Sequence, residues 1–284
     1  MSSDCRSVLA SDAENADLFW ALRGGGGNFG IVTSFRYRTH PVGPTVIGGA
    51  VLYAYEDARQ VLRGFRQFAP TAPDALTVYA CLIYDKGQPV VAIAACYAGP
   101  LDSAETAVAP LRGWGTIVAD QLRPMPYLEL QSLFDAARPA GRYAAMRSNF
   151  MANLPDAAIE VLVDRFPATP SPLSAVIVEH RHGAIARVAP DATAFALRRH
   201  PYHLEILGFW DGVDQSTANI HWVADFFGAM HPFDVGEVYV NSLDEGECHR
   251  VREAYGRNYD RLAALKAKFD PTNFFRCNQN ISPG

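Results

Sequence analysis

Two strand-patterned runs, residues 76–84 and 90–97, flank Asp85-Lys86-Gly87-Gln88. Short runs rich in β-branched and aromatic side chains, joined by a glycine-containing turn, read as a β-hairpin. The turn sets the register: Tyr84 faces Pro89 and Cys81 faces Ala92. Hairpin pairing makes the sheet antiparallel, and the rest of the chain must accommodate that. Further strand patterns fall at residues 46–55, 143–151, 174–180, 203–210 and 237–241. Helical patterns fall at 56–68, 102–111, 127–136, 156–166 and 216–230. The expected fold is α+β, a large antiparallel sheet flanked by helices.

Composition narrows the function classes. Of 284 residues, 49% are hydrophobic and 19% charged, enough apolar material for a substantial core. The net charge of −5 offers no footprint for nucleic acid or an anionic membrane. No apolar run approaches the ~20 residues that span a bilayer. The first residues lack the apolar core of a secretory signal, so a cytoplasmic location is expected. Five cysteines occur, none in C-x-x-C spacing. In the hairpin register Cys81 and Cys96 are too far apart to bridge, and reduced cysteines are expected.

The stretch DLFWALRGGGGNFGIV, residues 17–32, contains G-x-G-x-x-G at Gly25, Gly27 and Gly30. A dinucleotide loop needs strand, loop, then helix, with phosphate on the helix N-terminus. Here the order is reversed. Ser11-x-x-Glu14 reads as a capping box opening a short helix through Leu22, with Gly24 at its C-terminal cap. The following IVTSFRYRTH alternates like a strand. The loop would face a helix C-terminus, whose dipole repels phosphate. The glycines serve either a tight helix-to-strand connection or close approach of a ligand to the backbone.

Several segments together resemble the berberine-bridge-enzyme-like branch of FAD-linked oxidases. These are DLFWALRGGGGNFGIVTSFRYRTHPV, GAIARVAPDATAF followed by Arg198, GEVYVNSLDEGE, and the C-terminal YGRNYDRLAALKAKFDPTNFFRCNQNISP. They occur in family order and span nearly the whole chain. The resemblance implies that residues 1–45 end an FAD-binding domain. It implies that 46–244 form a substrate-binding sheet domain and that 245–284 pack back on the flavin domain. It further implies FAD as cofactor, a small-molecule alcohol, hemiacetal or amine substrate, hydride transfer to flavin, and oxygen as acceptor. Gly30, Ile31 and Val32 would lie along the cofactor. Tyr239 and Asn241 would approach it from the substrate side, and Asn278 and Asn280 would return to it from the tail.

Two departures from the family pattern bear on activity. The family's earlier segments carry the pyrophosphate loop and the His and Cys that tether FAD covalently, and the matching part of this chain is absent. The expectation is a fragment, one half of a split protein whose separate partner chain supplies the rest, or a flavin-free binding or remnant protein. Apolar surface should then be exposed near Phe19, Trp20, Phe274 and Phe275. Second, Ser242 stands where many relatives have a tyrosine that takes the substrate proton. A phenol titrates near ~10, whereas an aliphatic hydroxyl needs its own base. His180, with His182 on the same strand face, is the alternative base. No third ligand at motif spacing accompanies the two histidines, so no metal site is expected.

Overall fold

The computed structural model describes residues 6–133, 135, 141–243, 245–276 and 279–283. The chain forms two compact units. One comprises Met1–Thr39, Ala184–His200 and Gly236–Gly284; the other comprises His40–Gly183 and Pro201–Val235.

The second unit is built on an antiparallel sheet of β1 (Thr45–Ala54), β2 (Leu76–Asp85), β3 (Gln88–Tyr97), β4 (Ile117–Asp120), β5 (Arg123–Pro126), β6 (Tyr143–Met151), β7 (Ala175–His180) and β8 (Tyr202–Trp210). The spatial order is β4-β1-β3-β2-β7-β8-β6, with β5 pairing beside β4 along β1. The hairpin register is as expected, with Tyr84 opposite Pro89 and Cys81 opposite Ala92. Cys96 lies opposite Thr77, so Cys81 and Cys96 are out of register.

The chain's helices are α1 (Ala16–Leu22), α2 (Ala58–Phe68), α3 (Ala104–Val108), α4 (Tyr127–Gln131), α5 (Asp156–Arg165), α6 (Ala184–Arg187), α7 (Ser216–Met230), α8 (Val251–Tyr255) and α9 (Tyr259–Phe269). Strand alternation sends Val51, Val78, Val91, Val176 and Leu204 to one face of the sheet. There they pack with Leu62 and Phe65 of α2, Ile159 and Leu162 of α5, and Phe226 of α7. The intervening Leu52, Cys81, Val90, Ala92 and Ala94 form a separate cluster on the opposite face. Being buried on both faces, β3 reads as a nearly continuous apolar run rather than a clean alternation. Helices α2 and α5 are also tied at their outer edge: Arg59 contacts Glu160 and Asp164, and Arg66 contacts Asp156.

In the first unit α1 packs with the C-terminal helices. Leu18, Trp20 and Ala21 join Phe29, Tyr255, Leu262 and Ile281 in one core. The segment from Ala184 to His200 is fastened to this core by polar contacts. The Trp20 indole donates to Asp191 O at 2.7 Å. The Asn258 amide donates to Pro190 O at 2.9 Å, Thr193 O at 3.1 Å and Ala194 O at 3.2 Å.

Four local expectations are corrected here. Ser11 does not cap α1: its hydroxyl accepts from the backbone N–H of Ala13 and Glu14, closing a turn ahead of the helix. The helix starts at Ala16 behind Asn15, whose φ is 49°. Residues 31–40 are not a strand, because among the described residues no strand lies alongside to complete a ladder. Residues 237–241 likewise do not form a strand: Val240–Ser242 is a 3-10 turn closed by Ser242 N–H to Tyr239 O at 2.8 Å. Trp20 is buried rather than exposed, with the Arg261 guanidinium 3.9 Å from its ring centroid. Phe274 is exposed as expected.

Candidate functional site

In the first unit the glycine turn and the C-terminal tail meet at Asn28. Its side-chain amide donates to Gly25 O at 2.9 Å and to Gln279 O at 3.2 Å. Its carbonyl accepts Ile281 N–H at 2.9 Å. One buried side chain thus replaces the backbone partners that an irregular loop and an irregular tail cannot give each other. Tyr255 reinforces the turn by donating to Gly25 O at 3.2 Å.

Lys266 lies behind this junction. It is fully buried, yet its ammonium has three acceptors: Asn28 O at 2.8 Å, Asp270 Oδ2 at 2.6 Å and Phe275 O at 2.6 Å. Asp270 is also fully buried and accepts the backbone N–H groups of Phe274 at 2.8 Å and Phe275 at 2.9 Å. Burial raises the Asp270 carboxyl pKa, but Lys266 and the two N–H groups outweigh it and hold the pKa below the ordinary value. A buried ion pair survives where its remaining hydrogen bonds are satisfied, as they are here.

The tail thereby presents Asn280, whose side-chain oxygen is buried and has no hydrogen-bond partner among the described residues. A buried acceptor left unpaired is rare and fits an N–H donor supplied by a bound molecule. Gly30, at φ 150°, follows the turn, and Ile31 and Val32 are exposed beyond it. Asn278 lies outside the described residues. The Tyr239 turn belongs to the same unit. Asn241 donates to the Tyr239 hydroxyl at 2.7 Å. The Tyr239 ring meets Phe195 edge-on at 6.1 Å, and Arg198 lies 5.0 Å from the Phe195 ring centroid. Gln279 of the tail donates to Leu243 O at 3.1 Å, joining this turn to the tail. Ser242 is buried within its turn.

His180 is placed differently. It is buried in the second unit against Tyr202, their ring centroids 5.1 Å apart. Burial, assisted by His182, lowers its pKa to about 4 against the weaker opposing effect of Glu179, so the imidazole is neutral near pH 7. Among the described residues no group of three His, Cys, Asp or Glu side chains is placed to hold a metal.

Sequence reasoning missed a row of titratable groups on the sheet face opposite the helices. Tyr79 pairs with Glu179, and Glu179 pairs with His203 across β2, β7 and β8. The His203 Nδ1 lies 3.3 Å from Glu179 Oε2. Phe150 stacks on the His203 ring at 4.6 Å. Burial first, then Glu179, pushes the Tyr79 phenol up to about 12. The signal was the period of two: residues 79, 179, 203 and 205 all take the same face once the strand register is known.

Comparison with known proteins agrees with this architecture. Residues 238–282 match the family model described as berberine and berberine like. An FAD-linked oxidoreductase of Dictyostelium discoideum is 28% identical over 275 residues, covering 96% of this chain and 60% of that protein. The (R)-6-hydroxynicotine oxidase of Paenarthrobacter nicotinovorans is 29% identical, covering 97% of this chain and 62% of its own length. The crystal structure of 6-hydroxy-D-nicotine oxidase from Arthrobacter nicotinovorans superposes with a TM-score of 0.85 at 24% identity, covering all of this chain and 65% of that one. The chain thus spans about 60% of the length of the relatives it matches. Residues 238–282 thus match a berberine and berberine like domain, and the whole chain is similar in sequence to FAD-linked oxidoreductases.

Proposed function

We propose that this chain carries part of the cofactor and substrate apparatus of an FAD-dependent oxidase acting on an alcohol, hemiacetal or amine group of a small molecule. The observation that carries the reading is the convergence, within one unit, of the glycine turn, the Tyr239 turn and the tail, with an unsatisfied Asn280 oxygen among them. FAD, when bound, supplies a hydride acceptor that oxygen can reoxidise. Gly30, Ile31 and Val32 would lie against it. Asn280 would accept an N–H from it, and Asn241 would hold the Tyr239 phenol toward the substrate. Asn278 would add a second tail amide. The rest of the flavin domain would come from polypeptide outside these 284 residues, on the same chain or a separate one.

Titrating the purified chain with FAD tests the reading. Quenched flavin fluorescence and a yellow protein after gel filtration are expected; colourless protein that leaves the fluorescence of added FAD unchanged overturns it.

A further inference from the structure

Three polar side chains, Asn28, Lys266 and Asp270, are almost wholly buried yet lie outside any expected contact with substrate. Their hydrogen bonds share a pattern. Each joins chain segments that are irregular and lack repeating backbone partners. Asn28 ties Gly25 to Gln279 and Ile281. Lys266 ties Asn28 to Phe275. Asp270 fixes Phe274 and Phe275. The Asn28 amide is thus a side-chain tie between the glycine turn and the tail.

We infer that Asn28, with Lys266 and Asp270 behind it, forms a polar clamp that positions Asn280 against the backbone at Gly30, setting the cofactor-facing geometry of both segments. This rests on the flavin reading above. The role is one of positioning: the polar atoms of the three side chains are engaged by Gly25, Gln279, Ile281, Phe274, Phe275 and one another. An apolar residue at position 28 or 266 could fill space, but it could not register the tail against the turn. A binding surface made of two segments loses affinity when the segments are free to slide, because ligand binding must then order them.

The test uses the full chain with FAD as the probe. Asn28→Asp keeps the size and the acceptor for Ile281 N–H, and removes both donations. It is expected to weaken FAD binding about tenfold or more, in line with two lost hydrogen bonds. It is also expected to speed amide exchange at residues 274–276 and 279–282 while exchange in β2 and β3 stays as in the wild type. Lys268→Ala, which removes an exposed ion pair to Asp17 and a cation–ring contact with Phe269, should change neither. Should Asn28→Asp fail to fold, Asp270→Asn carries the same comparison, since it weakens the hold on Lys266 and on the Phe274 and Phe275 amides. Faster tail exchange with unchanged FAD affinity overturns the clamp and leaves the flavin reading in place. Failure of the wild type to bind FAD overturns the flavin reading, and the positioning role with it.

Discussion

The glycine run shows how little a residue type says about purpose without its neighbours. A Cβ on Gly24 would sit 2.4 Å from the Phe195 backbone nitrogen, and its φ is 129°. A Cβ on Gly25 would sit 2.5 Å from Ala21 O. These two glycines serve internal packing, where the sequence suggested ligand approach as strongly. Gly24→Ala should therefore cost about 2–4 kcal/mol by denaturant unfolding, combining backbone strain with a clash against main chain. Gly87→Ala, at φ 79° with open space around it, should cost only about 1 kcal/mol. Equal losses at the two positions would remove the packing explanation. His180 gives a second prediction. Its folded pKa, about 4, lies below the ordinary 6.5, so on acidification the unfolded chain takes up the proton first. Its contribution is flat above pH 6.5 and costs stability progressively down to pH 4, by up to about 3 kcal/mol. His180→Gln should flatten the melting-temperature profile across that window; an unchanged slope would assign the acid sensitivity elsewhere.

Elements were legible where a local pattern coincided with its partner. The β2–β3 hairpin follows from its turn and alternation, and β6 from nine residues that pair along their whole length with β8. Helices α2 and α7 follow from apolar periodicity. Short β4 and β5 escaped notice because β5 contains Pro124 and Pro126, which normally argue against a strand. They are admissible at the sheet margin, where not every N–H must enter a ladder. The opposite error arose at residues 31–40, where Phe35 and Tyr37 alternate with Arg36 and Arg38. Alternation describes a strand's faces but supplies no partner, and the pairing that makes a strand is tertiary. Amide exchange should separate the two cases. Residues 33–39 should exchange close to the rate of an unstructured peptide, while the centres of β2 and β3 remain protected up to global unfolding. Protection at 33–39 comparable to β3 would mean that these residues are paired in solution.

At the scale of the whole molecule, no periodicity in residues 184–200 signals that they cluster with 236–284, because that association rests on single contacts such as Asn258 to Pro190, Thr193 and Ala194. The clamp at Asn28 was equally hidden: its partners lie 251 and 253 residues away. The C-terminal family signature, by contrast, was readable, since motifs survive where tertiary contacts leave no local trace. What the motifs do not determine is how the exposed stripe at Phe35 and Tyr37 is handled in solution. Phe35 is 65% and Tyr37 74% exposed, and their rings stack at 5.5 Å, a contiguous apolar surface rather than scattered single residues. Contiguous exposed apolar surface favours association. The chain should therefore show concentration-dependent association and bind a hydrophobic dye. Replacing Phe35 and Tyr37 together by Ser should cut dye binding by roughly half or more. Thermal stability should stay unchanged, because neither ring belongs to the core of its unit. Phe274→Ser removes an exposed ring from a different segment and serves as the comparison. If that single change reduces association as much as the double one, the tail rather than the stripe is the associating surface.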